Sequence, residues 1–174
     1  MTNQKTVIVL AMHGVPPADF PRPELTEFMR LHTMLEHGSV GDDHLQMRRD
    51  VLEVKLRSWR RTAANDPYWA ASSELARELK KVTGHRVVVG FNEFCAPSLD
   101  CALDAAATGR AARVVVVTPM MTQGGEHSEK DIPGSVERAR ARHPKVEFVY
   151  AWPFPSTAAA RFLAEQVARS LGSA

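Results

Sequence analysis

Four short apolar runs set the strongest limit on how this sequence can fold. They are Thr6–Met12 (TVIVLAM), Arg86–Phe91 (RVVVGF), Arg113–Thr118 (RVVVVT) and Val146–Ala151 (VEFVYA). Each is rich in β-branched or aromatic residues and nearly continuous, the pattern of strands buried on both faces of a parallel sheet. Helical patterns separate them. Pro97–Thr108 opens with proline and ends at Gly109, the usual helix asymmetry. Asp131–His143 gathers Ile132, Val136 and Ala139 on one side, and Ser156–Leu171 gathers Phe162, Leu163 and Val167 and ends near Gly172. The alternation predicts an α/β sandwich whose winding is constrained by right-handed crossovers.

The stretch between the first two strands, Gly14 to His85, is far longer than one crossover needs. It holds three helix-like patterns, Pro23–Glu36, Asp43–Arg61 and Pro67–Thr83. The second places Leu45, Leu52, Leu56 and Trp59 on one face. The third begins Asn65-Asp66-Pro67, a cap followed by proline at the first helical position, and continues through Tyr68, Leu75, Leu79 and Val82. The segment "HGVPPADFPRP" must be extended, irregular chain. A long excursion beside a strand end often forms a wall or lid over a site.

A length of 174 residues suits one domain, 1–174, with a helical insert over about 16–83. A net charge of +2 gives no reason to expect a nucleic-acid partner. Arginine outnumbers lysine, 16 to 6. Its planar fork suits carboxylate or phosphate binding, although a GC-rich genome gives the same bias. Cys95 and Cys101 do not make a disulfide framework and are expected to be reduced. The apolar run in "MTNQKTVIVLAMHG" is too short for a signal peptide or membrane span. The expected location is the cytoplasm, with no membrane partner.

In open parallel sheets ligands bind beyond the carboxyl ends of the strands. The first predicted strand ends in Met12-His13-Gly14 and the second in Phe91-Asn92-Glu93-Phe94. The third ends in a loop holding Gly124, Gly125, Glu126 and His127. The fourth offers only Trp152-Pro153-Phe154. Two imidazoles and carboxylates on one edge suit a divalent-metal or proton-transfer site. The glycines let backbone approach a flat ligand closely. Each residue also has a plainer reading. A strand-end histidine is commonly structural, Glu93 could cap the following helix, and Glu126, Glu129 and Asp131 could serve a helix N-terminus. His32, His37, His44 and His85 read as solvated or loop residues, and His143 sits at a helix C-terminus. "TQGGEHSEKD" is no phosphate-binding loop, and neither H-E-x-x-H nor G-x-S-x-G occurs. Cys95 as a nucleophile lacks a neighbouring histidine in the sequence.

These motifs carry a family resemblance. A first strand ending in "HG", a second ending in "FNE…P" and a third followed by "GGEHSEKDIP" resemble the small class II chelatases. These are the sirohydrochlorin cobaltochelatases and ferrochelatases, related to protoporphyrin ferrochelatase. The similarity spans roughly residues 6–14 and 86–170, and Gly125 to Pro133 is its most specific part. It implies one chelatase half-domain: a four-stranded parallel sheet with helices on both faces, forming a three-layer sandwich that pairs as a homodimer. It implies ATP-independent insertion of Co²⁺ or Fe²⁺, with Ni²⁺ also open, into a tetrapyrrole, foremost sirohydrochlorin. The metal is substrate, and no tightly bound cofactor is implied. The family's metal-handling residues carry over onto His13, Glu93 and His127.

On that reading His13 and His127 bind the ion, or one accepts a pyrrole proton, while Glu93 orients a histidine or relays protons. Met120, Met121, Trp152 and Phe154 pack on the macrocycle, or equally serve as core. Arg57, Arg60 and Arg61, around Trp59 in "RSWRRT", either grip peripheral carboxylates or form a solvated helix end. A non-catalytic metal or tetrapyrrole carrier on the same fold is the alternative.

Overall fold

A computed structural model describes residues 5–36, 43–109 and 111–172; His37 lies outside them. At its centre is β1 (Lys5–Met12), which is buried on both faces. Val7, Val9 and Ala11 point one way and Ile8, Leu10 and Met12 the other, all at most 7% exposed. The alternation of Cβ direction makes a continuous apolar run the only pattern that satisfies both neighbours. Around β1 stand β2 (Arg86–Phe91), β3 (Ala111–Val117) and β4 (Glu147–Tyr150), in the order β2-β1-β3-β4. All pairings are parallel, with Met12 opposite Phe91, Leu10 opposite Val117 and Val116 opposite Tyr150.

Helices cover both faces, giving the expected sandwich. On one side α4 (Leu99–Ala107) and α5 (Ile132–Arg142) close over Val7, Val9, Val114 and Val116 through Leu99, Leu103, Ile132 and Val136. Each fully buried aliphatic side chain there contributes about 1.5–3 kcal/mol. Gly90 allows the close approach of α4, since a Cβ there would lie 2.7 Å from that of Ala102. On the other side α3 (Pro67–Thr83) packs Ala76, Tyr68 and Leu79 against Leu10, Met12 and Phe91. Its start matches the sequence expectation: Asp66 caps it by accepting from the Trp69 N–H, with Pro67 next. The α4 start does not. Ser98, not Pro97, precedes the helix and accepts from the Cys101 N–H. Glu93 therefore does not cap α4.

The rest of the insert forms a separate small core. Here α1 (Arg22–Glu36) and α2 (Asp43–Arg57) bury Phe28, Leu31, Leu52 and Leu56 with Phe20, and Trp59 and Phe94 pack against them. The second helix ends at Arg57, short of the expected Arg61.

The last helix, α6 (Ser156–Leu171), buries no residue. Phe162, Leu163, Val167 and Leu171 form its apolar stripe, yet they are 55–75% exposed. On the α3 side the sheet is covered only over β1 and β2. Val149 on β4 is 36% exposed, and Val115 on β3 is only half-buried. Among the described residues no helix is long and apolar enough to cross a membrane.

Candidate functional site

The order β2-β1-β3-β4 puts the topological switch point at the carboxyl ends of β1 and β3. There the ladder between β1 and β2 runs past the strand ends. The Asn92 N–H donates to the Met12 carbonyl and the Glu93 N–H to the His13 carbonyl, both at 2.9 Å. His13 and Glu93 are thus neighbours by backbone pairing. Gly14 makes this possible: its φ is +104°, and a Cβ would lie 2.0 Å from the Glu93 carbonyl oxygen. The expected role of Gly14, close approach to a ligand, is replaced by close approach to the Glu93 backbone. Gly14→Ala is expected to lower stability by more than about 2 kcal/mol, because both the overlap and the positive φ are uncompensated. A thermal melt checks this, and an unchanged midpoint would contradict it.

Glu93 sits in a tightly held turn. Phe94 follows it with φ at 55°, unusual for a residue with a side chain. Two arginines hold the turn. Arg57 donates to the Asn92 and Cys95 carbonyls at 3.0 and 3.1 Å and pairs with Glu53 at 2.8 Å. Arg61 donates to the carbonyls of Phe94, Val15 and Leu56 and pairs with Asp66 at 2.6 Å. The side chains of Arg61 and Asp66 are only 5% and 1% exposed. Neither arginine forms a solvated helix end: Arg57 is half-buried along one cleft, and the terminal nitrogens of Arg61 donate to the protein while its Nε is buried without a partner. Arg60 is exposed and its carbonyl accepts from Asn65.

His127 arrives from the other direction. The helix expected from Asp131 is preceded by a π-helical turn, His127–Asp131, closed by the Ile132 N–H donating to the His127 carbonyl. Pro133 lacks the N–H that would return to Glu129, and its ring crowds that carbonyl, so the chain widens over this turn. Three contacts fix it. Glu129 accepts from the Gly124 N–H at 2.7 Å, the Ser128 hydroxyl donates to the Gly125 carbonyl at 3.0 Å, and the Tyr150 hydroxyl donates to the Ser128 carbonyl at 2.9 Å. Burial, with Glu129 nearby, pushes the Tyr150 pKa up to about 12, so it stays a donor.

The result is a cluster of His13, Glu93 and His127, each offering one ligand atom within 4.8 Å of the others. The imidazole centres are 4.6 Å apart, and His13 Nδ1 is 3.7 Å from a Glu93 oxygen. That nitrogen is buried and has no hydrogen-bond partner. A buried, unpartnered ring nitrogen beside a carboxylate is an arrangement that a cation or a proton would complete. Donors around a tetrahedral divalent ion stand about 3.4 Å apart for bonds of about 2.1 Å, within reach of small side-chain rotations.

Two depressions flank the cluster. A cleft of about 330 Å³ is lined by Glu93, Phe94, Arg57, Phe28, His32 and Asp131 among others, so α1 and α2 form one wall of it. A groove of about 480 Å³ is lined by Met120, Met121, Gly125, His127 and Leu163 with their neighbours. Gly124, at φ +88°, has open space where a Cβ would stand. Trp152 and Phe154 stand apart from that groove's lining, with Trp152 stacked on Tyr150 at 6.2 Å and meeting Phe154 edge-on at 5.8 Å.

Sequence reasoning treated Glu126, Glu129 and Asp131 alike, as acids at a helix start. They differ. Glu126 pairs with Lys130 at 3.0 Å, Glu129 holds Gly124, and Asp131 meets His127 Nδ1 at 2.5 Å. The spacing of four between His127 and Asp131 was the available signal. Cys95 is fully buried, which raises its thiol pKa and makes it a poor nucleophile.

A search of curated proteins returned no match. Among solved structures, the chain resembles the CbiX protein of Marinobacter aquaeolei VT8, with a TM-score of 0.55, 18% identity and coverage of 97% of this chain and 99% of that one. It also resembles the sirohydrochlorin chelatase SirB from Bacillus subtilis subspecies spizizenii, solved in complex with cobalt. There the TM-score is 0.43, with 16% identity over 86% of this chain and 44% of that one. SirB from Bacillus subtilis with Fe³⁺ gives a TM-score of 0.43 and 18% identity over 86% of this chain and 40% of that one. The CbiX family model matches residues 64–170, which include Glu93 and His127, while His13 joins them through the fold. With more than half of its length matched, the chain belongs to the CbiX family.

Proposed function

We propose that this protein inserts a divalent metal, Co²⁺ or Fe²⁺, into a tetrapyrrole without ATP, and that sirohydrochlorin is its substrate. The carrying observation is the His13–Glu93–His127 cluster at the switch point, with the buried, unpartnered nitrogen of His13 facing Glu93. Insertion exchanges two pyrrole protons for one ion, so a site needs ligands that release the metal and a group that takes protons. Two neutral imidazoles are ligands of intermediate strength for such ions. A third, carboxylate donor is free to accept protons as the macrocycle takes over coordination. The groove with Met120, Met121 and Gly125 supplies a polarizable apolar wall for one face of the ring. Membership of the CbiX family supports the reading.

The test is turnover. Purified protein mixed with sirohydrochlorin and Co²⁺ or Fe²⁺ is expected to give metalated product, followed by absorbance, in large excess over protein. At most one equivalent would instead mark a carrier, and no product with either metal would end the proposal.

We read the chain as one chelatase half-domain with a helical insert over about 16–83, and we infer that two copies pair through α6. A helix of this length is about 24 Å long and about 10 Å wide. Two such stripes, each covering an equal area of a partner, remove on the order of 1,000 Å² from water, the lower limit of a specific interface. A second copy fits because one chain supplies both an uncovered apolar helix and an uncovered patch on β3 and β4. Leu163→Glu is expected to shift sedimentation from dimer to monomer at micromolar concentration. A wild-type protein that sediments as a monomer would refute the pairing.

A further inference from the structure

We infer that Asp131 is a positioning residue for the metal site, acting through His127; this rests on the proposed reading of the cluster. The carboxylate meets His127 Nδ1 at 2.5 Å, which commits that nitrogen and leaves Nε2 as the ring's free ligand atom. Among the described residues Asp131 forms no other ion pair, and it caps no backbone N–H of the helix that follows. Its contact with the ring is therefore its distinguishing interaction. Glu126 and Glu129, its acidic neighbours, are engaged elsewhere with Lys130 and Gly124.

The placement is rigid. Asp131 closes the π turn and adjoins Ile132, which is fully buried in the core. Its carboxylate is thus carried by anchored backbone, and the ring it holds lies 4.6 Å from the ring of His13. A carboxylate on the far nitrogen of a ligand histidine selects the tautomer, orients the ring and strengthens the donor nitrogen. Losing such a partner typically costs 10–100-fold in metal affinity. The spacing of four lets one short segment supply both the ligand and the residue that orients it.

The experiment is a Co²⁺ titration of the protein without tetrapyrrole, followed by the d–d absorption of the bound ion. D131A is expected to bind Co²⁺ about 10–100-fold more weakly. D131N keeps an acceptor oxygen but not the charge, so it should recover part of that loss. E137Q, an exposed change on α5 that touches only the pair with Arg140, serves as the control and should stay within about twofold, as a change outside the metal's shells. Should D131A fail to fold, the near-isosteric D131N decides the matter by its own weakened affinity and altered spectrum. Wild-type affinity in both variants, or an equal loss in E137Q, would overturn the positioning role. Failure of the wild-type protein itself to bind Co²⁺ would instead count against the underlying site.

Discussion

His127→Ala is expected to reduce metal insertion by at least about 100-fold, because it deletes a ligand and not merely a ligand's partner. The fold should survive. The imidazole is partly exposed, and the surrounding turn is held by Tyr150, Ser128 and Glu129, none of which needs the ring. The change in stability should stay within about 1 kcal/mol, as for other substitutions outside the core. The measurement is the initial rate of product absorbance with saturating Co²⁺ and sirohydrochlorin, paired with a thermal melt. Undiminished turnover would show that the loop after β3 does not handle the metal. A comparable loss in His13→Ala would tie the two histidines to one ion, since their rings are 4.6 Å apart.

Arg61→Met is expected to be the most damaging substitution for stability. It removes one member of a buried ion pair and leaves Asp66, only 1% exposed, as an uncompensated charge. Breaking such a pair costs about 3–5 kcal/mol. For a chain of this size that corresponds to a fall in Tm of roughly 10 °C. Three backbone carbonyls lose their donor as well: those of Val15, Leu56 and Phe94. Replacing both partners with apolar residues should not restore stability, although it can for an isolated pair, because Asp66 also caps α3. The turn at Phe94 would relax, taking Glu93 with it, so weakened Co²⁺ binding should accompany the lower midpoint. Denaturant unfolding checks the prediction, and a loss below about 1 kcal/mol would mean that the pair is screened or locally replaced.

The meeting of His13, Glu93 and His127 was legible because each follows an unmistakable strand, His127 after a loop of nine residues, and a parallel sheet gathers strand ends on one edge. The pair Asp66–Pro67 was equally legible, since a cap and a first-turn proline act within a few residues. Arg57 and Arg61 were not. The local pattern turns their side chains outward, toward substrate carboxylates or solvent, whereas Arg61 reaches Val15 and Phe94, 46 and 33 positions away. A long side chain's direction depends on which distant carbonyls stand near it, and no local pattern records that. The stripe of α6 was read correctly as apolar, but periodicity shows that a face is apolar and not what covers it.

Local pattern alone was enough for the four strands, the helices between them and the three residues at the sheet's carboxyl edge. Strand periodicity and caps act over a few residues, and parallel topology then follows from crossover handedness. Only the folded chain shows that Gly14 seats against Glu93 and that Arg61 and Asp66 form a buried hub reaching Val15 and Phe94. These depend on the meeting of segments far apart in the chain, which the local pattern of apolar and polar residues does not record, whereas the contact of His127 with Asp131 had its signal in a spacing of four.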